Sequence, residues 1–130
     1  MAEPARGDPW ALARRIEQGL PFRAFVELRR ELGLSREAAA RLVRIPMRTL
    51  ARRQRARRLA PDESERVVRL RRVLAAAADL FEGDREAARS WLARGNRALG
   101  GRTPLEACRT EVGAREVEAL IGRLEHGVVT

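Results

Sequence analysis

Arginine is the residue type that stands out as able to do chemistry in this sequence, and it is concentrated in one segment. Six arginines lie within residues 48–58, together with Thr49. Residues 35–58 as a whole hold nine arginines and a single acidic residue, Glu37. A guanidinium group can bridge two acceptors of guanine or pair with a phosphate. Because a merely solvated surface mixes both signs of charge, the segment favours an anionic partner, most often a nucleic acid.

The excess positive charge belongs to the first half of the chain. Residues 1–60 hold 15 arginines and 6 acidic residues, which gives a balance of +9. Residues 61–130 hold 12 of each, so their balance is zero and the net charge of the chain is also +9. This split predicts two functional parts, one basic and one neutral.

Helix signals run along the 130-residue chain and predict an all-α fold, since Ala, Leu, Arg and Glu dominate. Caps, first-turn prolines and glycine stops predict helices over about residues 8–18, 21–32, 35–45, 47–56, 62–82, 85–93, 104–108 and 114–126. A glycine-rich loop is expected at residues 95–102, and no strand is predicted. We divide the chain into an N-terminal helical extension (1–20), a helix-turn-helix domain (21–60), a connecting or dimerisation helix (61–83) and a small helical C-terminal domain (84–130).

Residues 35–57 have the layout of a helix-turn-helix, whose second helix lies in the DNA major groove. The turn position that glycine often fills holds Arg44, and a bulky residue with positive φ is strained there. The candidate DNA-binding residues are polar side chains of the second helix and its end. Arg48, Thr49, Arg52 and Arg53 are expected on its exposed face near its start, whereas Arg55, Arg57 and Arg58 are better placed for backbone phosphates.

The neutral half offers no catalytic constellation. Its single histidine, His126, lies near a helix end, where it can complement the helix dipole. Cys108, the only cysteine, is expected to be a small buried apolar residue in a reducing cytoplasm. The sequence contains no metal-ligand cluster, no phosphate loop, no signal peptide and no membrane-spanning run. We therefore expect a cytoplasmic protein that is not an enzyme and has no cofactor.

Two residue patterns, one in each half, resemble a known family. The first comprises Arg48, Thr49, Leu50, Arg52 and Arg53, then Leu59 and residues 61–66. The second comprises Ala87, Trp91, Leu92, Asn96, Leu99, Gly100, Gly101, Thr103, Pro104, Leu105, Thr110, Gly113, Val117, Leu120, His126 and Gly127. Over about residues 22–130 they resemble the helix-turn-helix half and the C-terminal toxin-binding domain of the Xre/MbcA/ParS antitoxin family. The sequence departs from that pattern at Arg44, and at Ala60 where a capping Ser or Thr is expected.

The resemblance implies a type II antitoxin. Its partner would be a RES-domain toxin, which consumes NAD or transfers ADP-ribose from it. The antitoxin would occlude the active site of that toxin by direct contact, and the complex would repress its own promoter by binding operator DNA. Members of the family also dimerise, generally through their helical bodies.

Two parts of the C-terminal domain are candidates for the toxin contact, namely the glycine loop, which permits close approach, and the short apolar tail. Arg102 or Arg123 could meet charges in a site that accepts the phosphates of NAD. The candidate residues are Asn96, Leu99, Gly100, Gly101, Arg102, Thr103, Pro104, Arg123, His126, Gly127, Val128, Val129 and Thr130. The loop could equally be a structural turn and the tail a frayed terminus, and Trp91 is expected in the core.

Two other functions stay open at this point. One is a stand-alone DNA-binding regulator whose neutral half dimerises or senses a signal. The other is a protein-binding adaptor whose arginines meet an acidic partner. An adjacent toxin gene separates the antitoxin from the regulator, and a steep salt dependence of operator binding separates both from the adaptor.

Overall fold

The computed structural model describes residues 8–127, and over that range the fold is all-α, as predicted. Eight α-helices follow one another: α1 Pro9–Gln18, α2 Arg23–Leu32, α3 Arg36–Leu42, α4 Met47–Ala56, α5 Pro61–Leu80, α6 Arg85–Ala93, α7 Pro104–Ala107 and α8 Glu111–Glu125. The predicted loop after α6 contains one 3-10 turn, Arg97–Leu99. No strand occurs within the described range, where extended backbone pairs in one isolated bridge between Pro21 and Arg58.

The helices begin where the sequence offers capping oxygens. Asp8 accepts a hydrogen bond from the backbone N–H of Trp10 (3.0 Å), and Ser35 accepts one from that of Ala38 (3.1 Å). These side chains satisfy backbone donors that a helix leaves unpaired at its first turn. The local sequence therefore determines the start of α1 and of α3 before any tertiary contact forms.

Helix α5 is the central element of the fold. It packs against α1, α2, α6 and α8. Its buried apolar side chains recur at helical spacing and include Val67, Leu70, Val73, Leu74 and Ala77. The helix that we predicted as a connection thus belongs to the core of both halves, and it places the basic helices and the C-terminal helices around one axis.

The last helix begins earlier than predicted. We expected it to start after Gly113, but α8 begins at Glu111 because Thr110 Oγ1 accepts a hydrogen bond from the N–H of Gly113 (3.0 Å). Glycine is needed here for another reason, since a Cβ at this position would collide with the backbone carbonyl oxygen of Ala107. Gly113 therefore lets α8 pass close to the end of α7.

The two side chains whose burial we predicted lie in or against the core. Cys108 is buried, and burial raises the pKa of its thiol to about 12, so it is an inert thiol at neutral pH. Trp91 is half-buried and packs against Phe81, with ring centroids 6.4 Å apart. None of the helices in the described part of the chain is both long and apolar enough to cross a membrane.

Candidate functional site

The turn between α3 and α4 has the left-handed residue that the helix-turn-helix layout requires. Arg44 takes φ 55°, so the expected strain at a position that suits glycine is present. The N–H of Ile45 donates to the carbonyl of Ala40 (2.9 Å), a bond that closes the helix end with Arg44 in the left-handed region. The turn therefore keeps its geometry despite the bulky residue.

A side chain of the central helix holds this turn. Arg66 donates from Nε to the carbonyl of Val43 and from a terminal nitrogen to the carbonyl of Arg44 (3.4 Å). Both carbonyls belong to the end of α3, where backbone acceptors lack helical partners. Arg66 thus satisfies the acceptors of the turn and fixes its position against α5.

Helix α4 presents one row of arginines to solvent. Arg48, Arg52 and Arg55 are all exposed, and their spacing of four and three residues places them on one face. We call these three residues the arginine stripe. Thr49 lies half-buried beside the stripe, and Arg57 is exposed at the end of the helix. The stripe has the extent and charge of a surface that could enter the major groove.

Arg53 is an exception to the predicted exposed face. Its Nε donates to Oε1 of Glu63 (2.8 Å), and the side chains are 25% and 6% exposed respectively. This hydrogen bond, with the charge of Glu63, raises the pKa of Arg53 above its ordinary value. The expectation of a solvent-facing Arg53 is therefore wrong. Because Arg53 follows buried Leu50 by three residues, its helical phase already pointed inward.

The same carboxylate supplies the helix cap that Ala60 cannot. Glu63 accepts a second hydrogen bond from the N–H of Ala60 (2.8 Å), and Ser64 Oγ donates to the Ala60 carbonyl (2.8 Å). Arg58 is also partly engaged, since its Nη1 donates to the carbonyl of Gly19 at the end of α1 (2.7 Å). The side chain of Arg58 stays exposed, but it anchors the N-terminal helix as well.

The glycine loop of the C-terminal domain is closed on itself. Asn96 Oδ1 accepts from the N–H of Ala98 (2.9 Å), and the Asn96 carbonyl accepts from the N–H of Gly101 (2.9 Å). Gly100 and Gly101 have φ of 68° and 89°, which favours glycine at both positions. Both glycines are exposed. The turn explains why glycine is used here, and it leaves the loop available to a partner.

An open groove of about 540 Å³ lies beside this loop. The 3-10 turn, α7 and the start of α8 form its walls. We call it the C-terminal groove. It is lined by Ala98, Leu99, Arg102, Glu106, Ala107, Thr110, Val112, Gly113 and Glu116. Val112 is 74% exposed, and it is the most exposed large apolar side chain of the described residues.

Sequence reasoning missed Val112, although a signal for it existed. Along α8 it lies off the helical phase of the buried residues Val117, Leu120 and Ile121. One exposed apolar residue is ordinary in itself, but Val112 shares the groove with Ala98, Leu99 and Ala107 and so is part of a larger apolar surface. The groove thus joins this residue to two predicted ones, Leu99 and Arg102.

The wall of the groove contains a capping box. The N–H of Glu106 donates to Thr103 Oγ1 (3.0 Å), and the N–H of Thr103 donates to Oε1 of Glu106 (3.0 Å). The hydrogen bonds from Thr103 lower the pKa of the Glu106 carboxyl. Pro104, a predicted toxin-binding residue, is fully buried at the first position of α7, so its side chain is not on the surface of the chain.

The remaining predicted toxin contacts lie elsewhere. Arg123, His126 and Gly127 follow Gly113 along α8 by ten to fourteen residues, which is about 15–21 Å of helix. They do not line the groove. His126 Nδ1 lies 2.8 Å from the carbonyl of Gly122. The predicted residues Val128, Val129 and Thr130 lie outside the described residues. The candidates in the described residues therefore form two separate surfaces, one at the glycine loop and the groove beside it and one at the end of α8.

Comparison with known proteins assigns a domain to each half. Residues 11–72 match the antitoxin Xre-like helix-turn-helix domain. Residues 76–127 match the antitoxin Xre/MbcA/ParS C-terminal toxin-binding domain. The boundary between the two matches falls within α5, which is the helix that both halves share.

Three relatives bear the name antitoxin Xre. The protein from Yersinia enterocolitica is 51% identical over 85 residues, which covers 65% of this chain and 57% of the relative. The protein from Photorhabdus laumondii is 36% identical over 116 residues (88% and 78%), and that from Pseudomonas putida is 33% identical over 84 (64% and 52%). The chain thus spans little more than half of two of these relatives. They are named as antitoxins and not as enzymes, which agrees with the prediction that the chain is not an enzyme. On this similarity, the chain belongs to the antitoxin Xre family.

Proposed function

We propose that this chain neutralises a toxin through its C-terminal domain and represses its own operon through α4. The match of residues 76–127 to a toxin-binding domain is the observation that carries the first part. The exposed arginine stripe on the second helix of a helix-turn-helix supports the second part. Helix α4 precedes the shared helix α5 in the sequence, and the residues of the C-terminal groove follow it. The two surfaces therefore use different residues, and one chain can contact both partners.

The toxin that we propose is a RES-domain enzyme that uses NAD, and the chain acts by occluding its active site. The C-terminal groove supports this proposal because it combines apolar Leu99 and Val112 with a cation, Arg102, beside a glycine turn. Apolar contact supplies the affinity, Arg102 can pair with a carboxylate of the toxin, and Glu106 and Glu116 can meet the cationic groups of a site built for phosphates. A second contact is made by residues at and after the end of α8, namely Arg123, His126, Gly127 and residues 128–130.

The DNA partner that we propose is the operator of the same operon. Arg48, Arg52 and Arg55 can reach base edges or phosphates from one face of α4. Helix-turn-helix proteins usually read two half-sites as symmetric dimers. A homodimer of this chain within a larger complex with the toxin would provide that symmetry.

The test is co-expression of the full-length chain with the neighbouring gene, with growth, cellular NAD and promoter activity as readouts. Wild type should restore growth and NAD and silence the promoter. Val112→Glu should lose protection, since it places a charge on the exposed apolar residue of the groove, and should retain repression. Arg52→Ala should show the opposite pattern.

The outcomes separate the alternatives. Full protection both by Val112→Glu and by a chain that lacks residues 127–130 would remove both proposed toxin surfaces. A neighbouring gene that is not toxic, with repression intact, would favour the second candidate, a stand-alone helix-turn-helix regulator. The arginine stripe alone supports that candidate equally well.

A further inference from the structure

A small cavity lies between the helix-turn-helix and the C-terminal domain, directly before α4. It measures about 300 Å³, and its lining residues are Ala40, Arg41, Arg44, Ile45, Pro46 and Arg109. Arg41 and Arg44 come from α3 and the turn, whereas Arg109 follows α7 in the other half of the chain. All three arginines are exposed, and within residues 8–127 none of them forms an ion pair.

The backbones of two of these arginines, Arg44 and Arg109, are fixed to one turn of α5. Arg66 donates to the carbonyl of Arg44 (3.4 Å). Three residues later, Arg69 donates from Nη1 to the carbonyl of Arg109 (3.1 Å) and from Nε to Glu111 (3.2 Å). Arg69 is only 9% exposed, so this attachment is sheltered from water. The fold therefore holds three like charges around one cavity, which costs Coulomb energy unless an anion is present.

One carboxylate, Glu106, offsets part of the charge of the cluster. Glu106 lines the adjacent groove together with Arg41 and Arg109. Its Oε1 accepts from the N–H of Thr103 (3.0 Å), which leaves the carboxylate charged. The residues that line the two grooves carry three positive charges and one negative charge, so the cluster keeps a net positive charge at the boundary of the two halves.

We propose that Arg41, Arg44 and Arg109 together bind a backbone phosphate of the DNA that α4 reads. This inference rests on the proposed function, because it places the phosphate in the same operator. Pro46 lines the cavity and directly precedes α4, so the cavity lies beside the first turn of that helix. A DNA strand that runs along the arginine stripe towards this turn would pass the cavity. Guanidinium groups suit phosphate geometry, and several can share one phosphate. The C-terminal domain, through Arg109, is then part of the DNA interface.

The test measures binding of the full-length chain to its own promoter DNA by fluorescence anisotropy over a range of KCl concentrations. Arg109→Ala should lower the slope of log affinity against log salt by up to about 0.9, the value for one whole phosphate contact, and lower affinity by up to about eightfold at about 0.1 M salt. Arg109→Lys should keep most of the slope. Arg115→Ala is the matched control, because it removes an equal, exposed charge from the same domain on α8.

Each outcome decides one question. If Arg109→Ala binds like Arg115→Ala while Arg52→Ala binds poorly, the phosphate contact is overturned and operator binding stands. If Arg109→Ala instead loses only toxin neutralisation, the arginine belongs to a protein interface and the proposal is overturned. If wild type does not prefer promoter DNA to a scrambled duplex, the DNA part of the proposed function fails first. Equal thermal unfolding midpoints of the variants exclude misfolding as the cause.

Discussion

Arg53 and Glu63 join the recognition helix α4 to the first turn of α5 through a hydrogen bond of 2.8 Å. Glu63 is almost fully buried and also accepts from the N–H of Ala60 (2.8 Å). One carboxylate thus orients α4, caps α5 and balances a cation. The position of the arginine stripe depends on this pair, since the pair fixes the opposite side of the same helix.

We expect Arg53→Ala to lower the free energy of unfolding by about 2 kcal/mol, because it leaves the Glu63 carboxylate buried without its cation. Arg52→Ala, one residue away and exposed, should change it by less than about 0.5 kcal/mol. Urea unfolding followed by circular dichroism measures both variants. Equal stability of the two variants would mean that the pair contributes nothing. Because Arg53 holds α4 against α5, weaker operator binding by Arg53→Ala would reflect a displaced helix as well as a lost contact with DNA.

The left-handed conformation of Arg44 leads to a second prediction. Arg44→Gly relieves the strain of φ 55°, so stability should stay equal or rise by up to about 1 kcal/mol. Arg41→Gly removes the same charge from inside α3 and should cost about 1 kcal/mol. Thermal unfolding at one pH compares the two. A lower melting temperature for Arg44→Gly than for Arg41→Gly would show that the Arg44 side chain stabilises the turn by contacts.

Local signals predicted the elements well, because caps and glycine stops act within a few residues of the chain. Asp8, Ser35 and Thr103 start helices where the sequence indicates. We predicted Arg53 on the exposed face because the segment is positively charged, and the helical position of Arg53 relative to buried Leu50 was not used. Arg53 also needs Glu63, ten residues away, and pairing at that separation is set by packing.

The candidate site was less predictable than the fold. Arg109 and Val112 have no motif of their own, and each gains significance only from neighbours on other elements. Gly113 likewise was expected to precede the last helix, whereas it lies inside α8 and its role is to admit the Ala107 carbonyl. Such close approaches between helices are not visible in the periodic pattern of apolar residues along a single sequence.

Gly113 provides a third prediction with a control on the same helix. Gly113→Ala should destabilise the protein by about 2 kcal/mol or more, since the new Cβ meets a backbone carbonyl that cannot rotate away. Gly122→Ala adds the same methyl group where nothing lies within 4 Å, and should stabilise α8 by about 0.5–1 kcal/mol. Chemical denaturation gives both values. Similar effects of the two substitutions would contradict the close approach of α7 and α8.

Glu111 provides the last prediction, because it joins α8 to the central helix. Its carboxylate accepts from Arg69 Nε (3.2 Å), Arg72 (3.1 Å) and Arg115 Nε (3.2 Å). Burial acts to raise the pKa of Glu111, but the hydrogen bond from Arg115 and the contacts of Arg72 and Arg69 outweigh it and lower the pKa. A lowered folded-state pKa stabilises the fold above the unfolded value of about 4.3, and this contribution disappears as the pH falls through the folded value.

Wild type should therefore be more stable than Glu111→Gln at pH 7, by less than about 1 kcal/mol since the side chain is 42% exposed. The difference should shrink as the pH falls from about 5 to about 3. Glu116→Gln, an exposed position on the same helix, should show little difference at either pH. Urea midpoints at both pH values give the comparison. A difference between wild type and Glu111→Gln that is constant or larger in acid would mean that the carboxylate is not held by these arginines, and that α8 docks on α5 through apolar contacts and the pair of Arg72 with Glu118 (2.8 Å).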